Sequence, residues 1–289
     1  MFKRAEKNIS DAEAKRSLPH DRKEVFFDLL AHRKMTLFAL SCFTFMFFIP
    51  LAVDLFYFNY WEAAAMASDL PDKINHAFSL VFYSMLIMVP CMIIGFIGFA
   101  GAFYVAKKLV WQEDATLAVD FFQGIKENWK HALINGFLFS LFFFGLVMGG
   151  LYLFLLARTQ PIWSGVGIGG LILVFITFGI VITINFTQDV YYENRYLATV
   201  KNSFCFIGLL NWRVLVLFVL TTGVIVALGF FNMITLGAGL FLFAMLNSVV
   251  IIIYTLLSHS AFDKYINKEH YPDMVGKGLY KLEKEDKEA

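Results

Sequence analysis

The stretch Ala132–Leu156, which reads ALINGFLFSLFFFGLVMGGLYLFLL, decides the fold class of this chain. Its 25 residues include no Asp, Glu, Lys or Arg. A helix needs about 20 predominantly apolar residues to cross a hydrocarbon core about 30 Å thick. Because the stretch exceeds that length without one formal charge, it predicts a transmembrane helix.

Further runs of the same character lie on both sides of this stretch. The chain has 59% hydrophobic and 16% charged residues, whereas soluble domains have about 25% charged residues. We therefore predict an all-α membrane protein, a bundle of six transmembrane helices in one membrane domain over residues 25–262. The six predicted spans are Thr36–Phe58, Ala77–Val105, Ala132–Leu156, Ile162–Phe186, Val214–Phe231 and Leu236–Leu257.

Lysine and arginine fall on alternate sides of these spans. Of the 24 such residues, 22 lie on the side of the two termini, and only Lys73 and Arg158 lie on the other side. Positive charge marks the cytoplasmic face of a membrane protein. We therefore predict cytoplasmic termini, with charged tails over residues 1–24 and 263–289. The first tail lacks the features of a cleaved signal peptide and is expected to stay on the chain.

Three segments on the same side place apolar residues at helical spacing and polar residues on the other faces. This pattern is typical of amphipathic helices that lie at a membrane interface. We predict three cytoplasmic interfacial helices of this kind. Their apolar positions are Phe26, Leu29 and Leu30 in the first, Ala118, Phe122, Ile125 and Trp129 in the second, and Tyr196, Val200, Phe204 and Ile207 in the third.

The polar positions of the second and third segments form a candidate partner-docking surface. Charged side chains at a membrane surface can recognise either a protein or lipid head groups, and both interpretations stay open. The candidate docking residues are Asp120, Gln123, Lys126, Glu127, Lys130, Arg195 and Asn202.

The same two segments end in a repeated tripeptide, Asn128-Trp129-Lys130 and Asn211-Trp212-Arg213. One interpretation is an internal duplication of span, surface helix and span. The other is the ordinary enrichment of Trp and basic residues at membrane interfaces.

Small residues recur within the predicted spans. Glycine lets membrane helices approach closely, because lipid supplies no hydrophobic force between them. We expect these glycines to pack within the molecule, with docking or dimerisation through Gly-rich span faces as the alternative. They include Gly95, Gly98, Gly101, Gly145, Gly149, Gly165 and Gly169.

No recognisable catalytic or metal-binding motif accompanies this architecture. The six histidines show no paired-ligand spacing, and the three cysteines suggest neither a disulfide nor a metal site. We expect no cofactor, and a lipid-modifying enzyme ranks last among the functions considered. Asp54 is the one charged residue well within a predicted span, and we interpret it as reaching the outer interface, with a transport site as the alternative.

Neutral polar residues remain inside the spans, chiefly Asn135, Asn185, Asn247 and Ser248. Such side chains form hydrogen bonds between membrane helices. Alternatively, they line a path for a small neutral, hydroxyl-rich solute. The second interpretation predicts a permease or channel.

Several stretches resemble the YesL-like family of bacterial membrane proteins. The most specific is Asp120–Lys130, DFFQGIKENWK, which is similar to a surface-helix motif of that family. Weaker similarities lie in the Gly/Ala-rich Gly95–Val105 with the basic pair Lys107-Lys108, in Phe26–Leu30, and in Phe262–Ile266.

The resemblance implies a six-span bundle in the bacterial plasma membrane, with no active site to transfer. It also implies an accessory or regulatory role beside carbohydrate ABC importers. We therefore expect a non-enzymatic subunit whose partners are membrane lipid and sugar-importer subunits; a permease is the alternative, and a membrane scaffold with another role comes third.

A net charge of +1 gives no support for nucleic-acid binding. The oligomeric state does not follow from the sequence.

Overall fold

The computed structural model describes residues 19–67, 73–209, 211–223 and 233–280, and all regular structure within these residues is helical. The helices are α1 Arg22–His32, α2 Lys34–Ala67, α3 Lys73–Val110, α4 Leu117–Leu156, α5 Pro161–Tyr191, α6 Tyr196–Leu209, α7 Asn211–Phe218 and α8 Met233–Phe262. A π-helical turn, Val219–Gly223, follows α7. Another, Asp263–Asn267, follows α8 and leads into a last α-helical turn, Lys268–His270.

Five of the described helices are long and apolar enough to cross a membrane, which agrees with an all-α, multi-pass membrane protein. They correspond to five of the six predicted runs. For the predicted span Val214–Phe231, the described part is the shorter apolar helix Val214–Gly223, and residues 224–231 lie outside the described residues. The sixth span and the orientation of the termini therefore stay predictions. The five segments are Lys34–Ala64, Asn75–Val110, Leu117–Leu156, Pro161–Tyr191 and Met233–His270.

Helix α3 occupies the centre of the bundle and packs against α2, α4, α5 and α8. Its glycines make these close approaches possible. A methyl group on Gly98 would lie 2.6 Å from Phe47 Cβ of α2, and one on Gly101 would lie 2.7 Å from the Phe121 carbonyl oxygen of α4. The prediction that these glycines pack within the molecule is confirmed.

The glycines of the far half of α4 and the first turns of α5 behave differently. A methyl group on Gly145, Gly165 or Gly169 would meet no atom within 4 Å in the described structure, and one on Gly149 would make only an ordinary contact with Leu171. Among the described residues, these glycines therefore lack the close intramolecular contacts expected from the sequence.

Helix α4 corrects the prediction of a separate surface helix before the third span. The helix runs without a break from Leu117 to Leu156. No Pro lies within it, and Asn128 Nδ2 donates back to the Gly124 carbonyl 3.1 Å away, within the same helix. The change from amphipathic to fully apolar sequence near His131 therefore marks no break in the helix.

The buried face of α4 also differs from the predicted one. Phe122 and Trp129, two of the predicted apolar positions, are 55% and 45% exposed, whereas Asp120, Phe121 and Gly124 are buried. The first turns of α4 therefore direct these aromatic side chains outward, while Gly124 and the Asp120 carboxylate face α3.

Candidate functional site at the charged end of the bundle

Residues 263–280, here called the C-terminal strap, fold back over the end of the bundle that holds most of the charges. Arg22 Nη2 of α1 lies 2.9 Å from Asp263 Oδ2, and Arg22 Nη1 donates to the Lys277 carbonyl oxygen 2.8 Å away. The Tyr280 amide donates to the Pro19 carbonyl oxygen at 2.9 Å. These bonds bring the two chain ends that the structure describes together on one side. The remainder of both predicted tails lies outside the described residues.

The strap also closes over the connection between α3 and α4. Lys277 Nζ lies 3.6 Å from the centroid of the Trp111 ring and 2.8 Å from Glu113 Oε1. The indole Nε1 of Trp111 donates to His259 Nε2 at 3.0 Å. Gly278 has a φ of +82°, a conformation that disfavours other residues, and it lies directly against the Val110 carbonyl oxygen.

A part-buried ion pair joins α3 to the first turn of α4. Lys108 Nζ lies 2.6 Å from Asp120 Oδ1, while Asp120 Oδ2 accepts from the Thr116 amide at 2.7 Å. Asp120 is only 4% exposed. Its inclusion in the exposed docking surface is therefore wrong: the carboxylate is used inside the chain, where it fixes the start of α4.

The other candidate docking residues lie at or near the surface. Gln123 Nε2 donates to Glu127 Oε1 at 2.9 Å along one side of α4. Together with Phe122 and Trp129, these side chains give the first turns of α4 a surface of mixed charged and aromatic character. The exposed members are Gln123, Lys126, Glu127, Lys130 and Arg195, and Asn202 is half-buried.

A second set of polar contacts, here called the polar cluster, joins α4, α5 and α6. Asn185 Nδ2 donates to Asn135 Oδ1 at 3.3 Å, and the Tyr196 hydroxyl donates to the same oxygen at 2.8 Å. His131 Nδ1 lies 2.8 Å from Asp189 Oδ1. The structure thus brings together Asn135 and Asn185, as their predicted role in helix association requires.

Sequence reasoning missed the pair of His131 and Asp189. The two residues are separated by 58 positions, and no motif connects them. The one available signal is that both residues lie next to an apolar run, at its predicted cytoplasmic end. That position is compatible with pairing but does not specify it.

The phenol of Tyr196 serves as a neutral donor in the polar cluster. Burial, together with the negative charge of the nearby Asp189, raises the pKa of Tyr196 to about 12. Burial raises the pKa of Tyr192 as well, and its hydroxyl donates to Asn267 Oδ1 at 2.6 Å. Both hydroxyls therefore keep their protons at neutral pH.

Several buried atoms of the polar cluster have no hydrogen-bond partner within the described part of the chain. A buried polar atom without a partner costs about 1–3 kcal/mol and marks a place for water or another ligand. These atoms are Asn135 Nδ2, Asn185 Oδ1 and Gln188 Oε1.

Asn247 and Ser248 belong to a different contact, between α2 and α8. The Ser41 hydroxyl donates to Ser248 Oγ at 2.8 Å, and Asn247 Nδ2 donates to the Ser41 carbonyl oxygen at 3.2 Å. The four neutral polar positions singled out from the sequence therefore form two separate helix contacts rather than one group.

Asp54 lies between α2 and α3 and does not reach the surface. It is 8% exposed, and Ser84 Oγ donates to its Oδ2 at 3.3 Å. The prediction that this carboxylate extends to the outer interface is therefore wrong, because the side chain turns toward α3 instead of toward solvent.

A cavity of about 530 Å³ opens at the charged end, between α6, the connection before it and the strap. Four aromatic rings line it, and Cys205, the exposed member of the three free cysteines, lies at its wall. The lining residues are Tyr192, Asn194, Asn202, Cys205, Phe206, Tyr265, Ile266, His270 and Tyr271.

Within the described residues, no three His, Cys, Asp or Glu side chains are grouped so that they could hold a metal ion. Comparisons of the chain with protein-family models, with curated proteins and with solved structures gave no match. The resemblance to YesL-like proteins therefore stays a prediction, based on the residues quoted above.

Proposed function

We propose that this chain is a non-enzymatic accessory or regulatory subunit of a carbohydrate ABC importer in the bacterial plasma membrane. It binds its partner through the charged end of the bundle, which the alternation of Lys and Arg assigns to the cytoplasm. The observation that carries the proposal is the exposed surface formed by Phe122, Gln123, Lys126, Glu127 and Trp129 on the first turns of α4.

The composition of this surface supports a protein partner. Aromatic residues are enriched at the centre of protein interfaces, and charged residues favour the rim. Phe122 and Trp129 supply the aromatic centre, and Lys126, Glu127 and Lys130 supply charges of both signs. Membrane lipid covers the apolar helices on the remaining sides.

The contacts that hold this surface in a fixed conformation support the same proposal. Asp120 and Lys108 fix the first turn of α4, and Gly124 packs directly on Tyr104 of α3. A surface held by a part-buried ion pair and a close helix contact loses little conformational entropy on binding, which favours affinity. The open faces at Gly145, Gly165 and Gly169 are the alternative region for contact with a transporter span.

Site-specific photocrosslinking tests the proposal in cells that express the neighbouring transporter genes. A photoreactive residue at Phe122 or Lys126 is expected to crosslink to an importer permease or ATPase subunit. The same residue at Tyr152, which is exposed on the far half of α4, serves as the matched control. If importer subunits are captured equally from Tyr152, or from neither region, the proposed docking site is wrong.

A permease for a small neutral solute is the second candidate, favoured by the unpaired buried atoms of the polar cluster. Those atoms offer hydrogen-bonding capacity to a hydroxyl-rich solute. Uptake of radiolabelled sugars or polyols into liposomes that contain this protein alone tests the candidate. Asn185→Leu is the variant, and Asn247→Leu, in the separate contact between α2 and α8, is its control. Uptake that is absent, or unchanged in Asn185→Leu, removes the candidate.

A further inference from the structure

The contact between Trp111 and His259 fixes the protonation state of the imidazole. Trp111 Nε1 lies 3.0 Å from His259 Nε2. An indole nitrogen can only donate a hydrogen bond, so His259 Nε2 is the acceptor and carries no proton. His259 is therefore a neutral imidazole with its proton on Nδ1, which lies 3.4 Å from Asp263 Oδ2.

This contact cannot accommodate a protonated His259. An imidazolium carries an N–H group on both ring nitrogens, so the Nε2 proton would point at the N–H of the indole. The side chain of His259 is fully buried, and the ring of Tyr191 lies 5.0 Å away between centroids. Water therefore offers no alternative partner, and protonation requires the bond to Trp111 to break.

The charged groups around His259 come from α1, from the strap and from the residues directly after α8. Arg22 and Lys277 oppose a positive charge on His259, and Asp263 favours one. The Asp263 carboxylate is already used by other donors, since Oδ2 lies 2.9 Å from Arg22 Nη2 and accepts from the Gly276 amide at 3.3 Å. A further positive charge at this buried position is therefore poorly compensated.

The indole of Trp111 connects His259 to the strap. Its N–H edge faces His259, while Lys277 Nζ lies 3.6 Å from the centroid of its ring. A methyl group on Gly278 would lie 2.8 Å from Trp111 Cα, so the backbone of the strap rests directly on this residue. A displacement of the indole therefore disturbs the contacts that hold the strap in place.

We propose that the strap is a pH-sensitive cover, which is closed over Trp111 while His259 is neutral and opens when His259 takes up a proton. An imidazole in water titrates near pH 6.5. Because the closed form excludes the proton and the open form binds it, closure is favoured above this pH and is weakened below it. The proposal stands independently of the docking surface on α4 and of its partner.

The expected size of the effect follows from proton linkage. An exposed imidazole is about nine-tenths protonated at pH 5.5 and about one-tenth protonated at pH 7.5. If the closed form binds no proton, a fall from pH 7.5 to pH 5.5 shifts the equilibrium toward the open strap about tenfold. Carboxylic acids ordinarily titrate below this window.

Hydrogen–deuterium exchange of the full chain in detergent measures the opening at these two pH values. Exposure times are scaled for the slower intrinsic exchange of amides at low pH. Protection over residues 271–280 is expected to fall about tenfold at pH 5.5, while peptides from the middle of α5 keep their protection and exclude general unfolding. Unchanged protection of the strap overturns the proposal.

His259→Gln separates the hydrogen bond from the titration. A glutamine amide oxygen accepts from Trp111 as the imidazole does, but the amide does not titrate. The variant is expected to lose the tenfold response, and a response that persists shows that another group carries it. If this variant does not fold, Trp111→Phe replaces it. Without the indole N–H, His259 no longer has to be neutral, so the response is expected to shrink.

His20 is the matched control, because it contacts the strap without facing a donor. It is exposed, and its Nδ1 lies 3.1 Å from the Tyr280 carbonyl oxygen. Both the neutral and the protonated ring can donate to a carbonyl oxygen. His20→Gln is therefore expected to retain the tenfold response. Loss of the response in this variant would place the pH sensitivity at the end of the strap and overturn the role of His259.

Discussion

Single glycines determine how closely the helices of this bundle approach one another. Gly98 faces the side chain of Phe47, and Gly101 faces the backbone of α4 at Phe121. Gly145 faces open space in the described structure. Gly98 is thus closely packed and Gly145 is not, so the same substitution at the two positions gives a matched pair of variants.

Gly98→Ala is expected to destabilise the protein, whereas Gly145→Ala is expected to leave stability unchanged or to raise it slightly. A methyl group on Gly98 would lie 2.6 Å from Phe47 Cβ, and overpacking of this kind costs about 1–3 kcal/mol. Thermal unfolding in one detergent measures the difference between the two variants. Equal loss of stability would show that Ala is disfavoured at both positions for a reason other than packing.

The pair of Lys108 and Asp120 allows a second test on single residues. Asp120→Ala leaves the Lys108 ammonium without its partner in a part-buried position and removes the acceptor for the Thr116 amide. Breaking a fully buried pair on one side costs about 3–5 kcal/mol, whereas replacing both charges costs much less. The loss here is expected to be smaller than for a fully buried pair, because the Lys108 side chain is 23% exposed. The expected order of stability in SDS titration is therefore wild type, then Lys108→Met with Asp120→Leu, then Asp120→Ala.

The control for this pair is Glu127→Gln on the exposed side of the same helix. The loss of stability in Glu127→Gln is expected to be small, because exposed charges contribute about 0–1 kcal/mol. If Asp120→Ala were no worse than Glu127→Gln, the carboxylate would have no structural role at the start of α4.

Some of these residue roles could be predicted from the sequence, and others could not. Asn135 and Asn185 were predicted to bond between helices because a polar amide inside a span has few other uses. Asp120 was predicted to be exposed, because a charged residue beside an apolar stripe is usually solvated. Its actual partner, Lys108, lies on another helix, and a helix-face pattern cannot show a contact between helices.

At the scale of helices, the sequence predicts which segments form long helices, but it does not show that α4 continues from its surface segment into its span without a break. Apolar runs set the five long helices, because each must satisfy its own backbone in lipid. Whether a surface segment continues into a span depends on local breakers, and between Trp129 and Ala132 the sequence has none. The predicted boundary followed a change in polarity, and a change in polarity does not break a helix.

The C-terminal strap is an element whose position is set by a few polar contacts, so one substitution should loosen it. Lys277→Ala removes the ion pair with Glu113 and the contact with the Trp111 ring. A cation–π contact contributes about 0.5–2 kcal/mol, depending on burial. Faster hydrogen–deuterium exchange over residues 271–280 is the expected result.

Lys268→Ala is the matched control, since Lys268 is exposed and lies on the same segment. Its exchange pattern is expected to equal that of the wild type. Equal acceleration by both substitutions would mean that Lys277 does not hold the strap.

Across the whole molecule, the contacts of the strap, α1 and the two nearby connections place most of the charged groups at one end. The positive-inside rule then predicts that this end is cytoplasmic. Cysteine labelling in a background without Cys42, Cys91 and Cys205 tests the topology. Lys268→Cys is expected to react only after the membrane is permeabilised, and Trp163→Cys is expected to react from outside.

The same background tests whether there is a sixth crossing. If the segment that includes α7 spans the membrane, Met233→Cys at the start of α8 should react from outside, as Trp163→Cys does. The described residues of α7 already run beside α5, where Phe218 packs on Gly179 and lies 6.0 Å from Phe175 between ring centroids. Protection of Met233→Cys from external reagent would contradict the sixth crossing.

Helix α4 is longer than a membrane crossing requires. Its 40 residues make a rod about 60 Å long, which is about twice the thickness of the hydrocarbon core. The rod packs on α3 at Gly124 and Gly136, and near its other end the Leu153 carbonyl oxygen accepts from Ser164 Oγ of α5 at 2.6 Å. A straight crossing uses about 20 of these residues, so the remaining turns extend beyond the hydrocarbon. The exposed surface on the first turns of α4 therefore stands clear of the lipid tails, on the same rigid helix that crosses them.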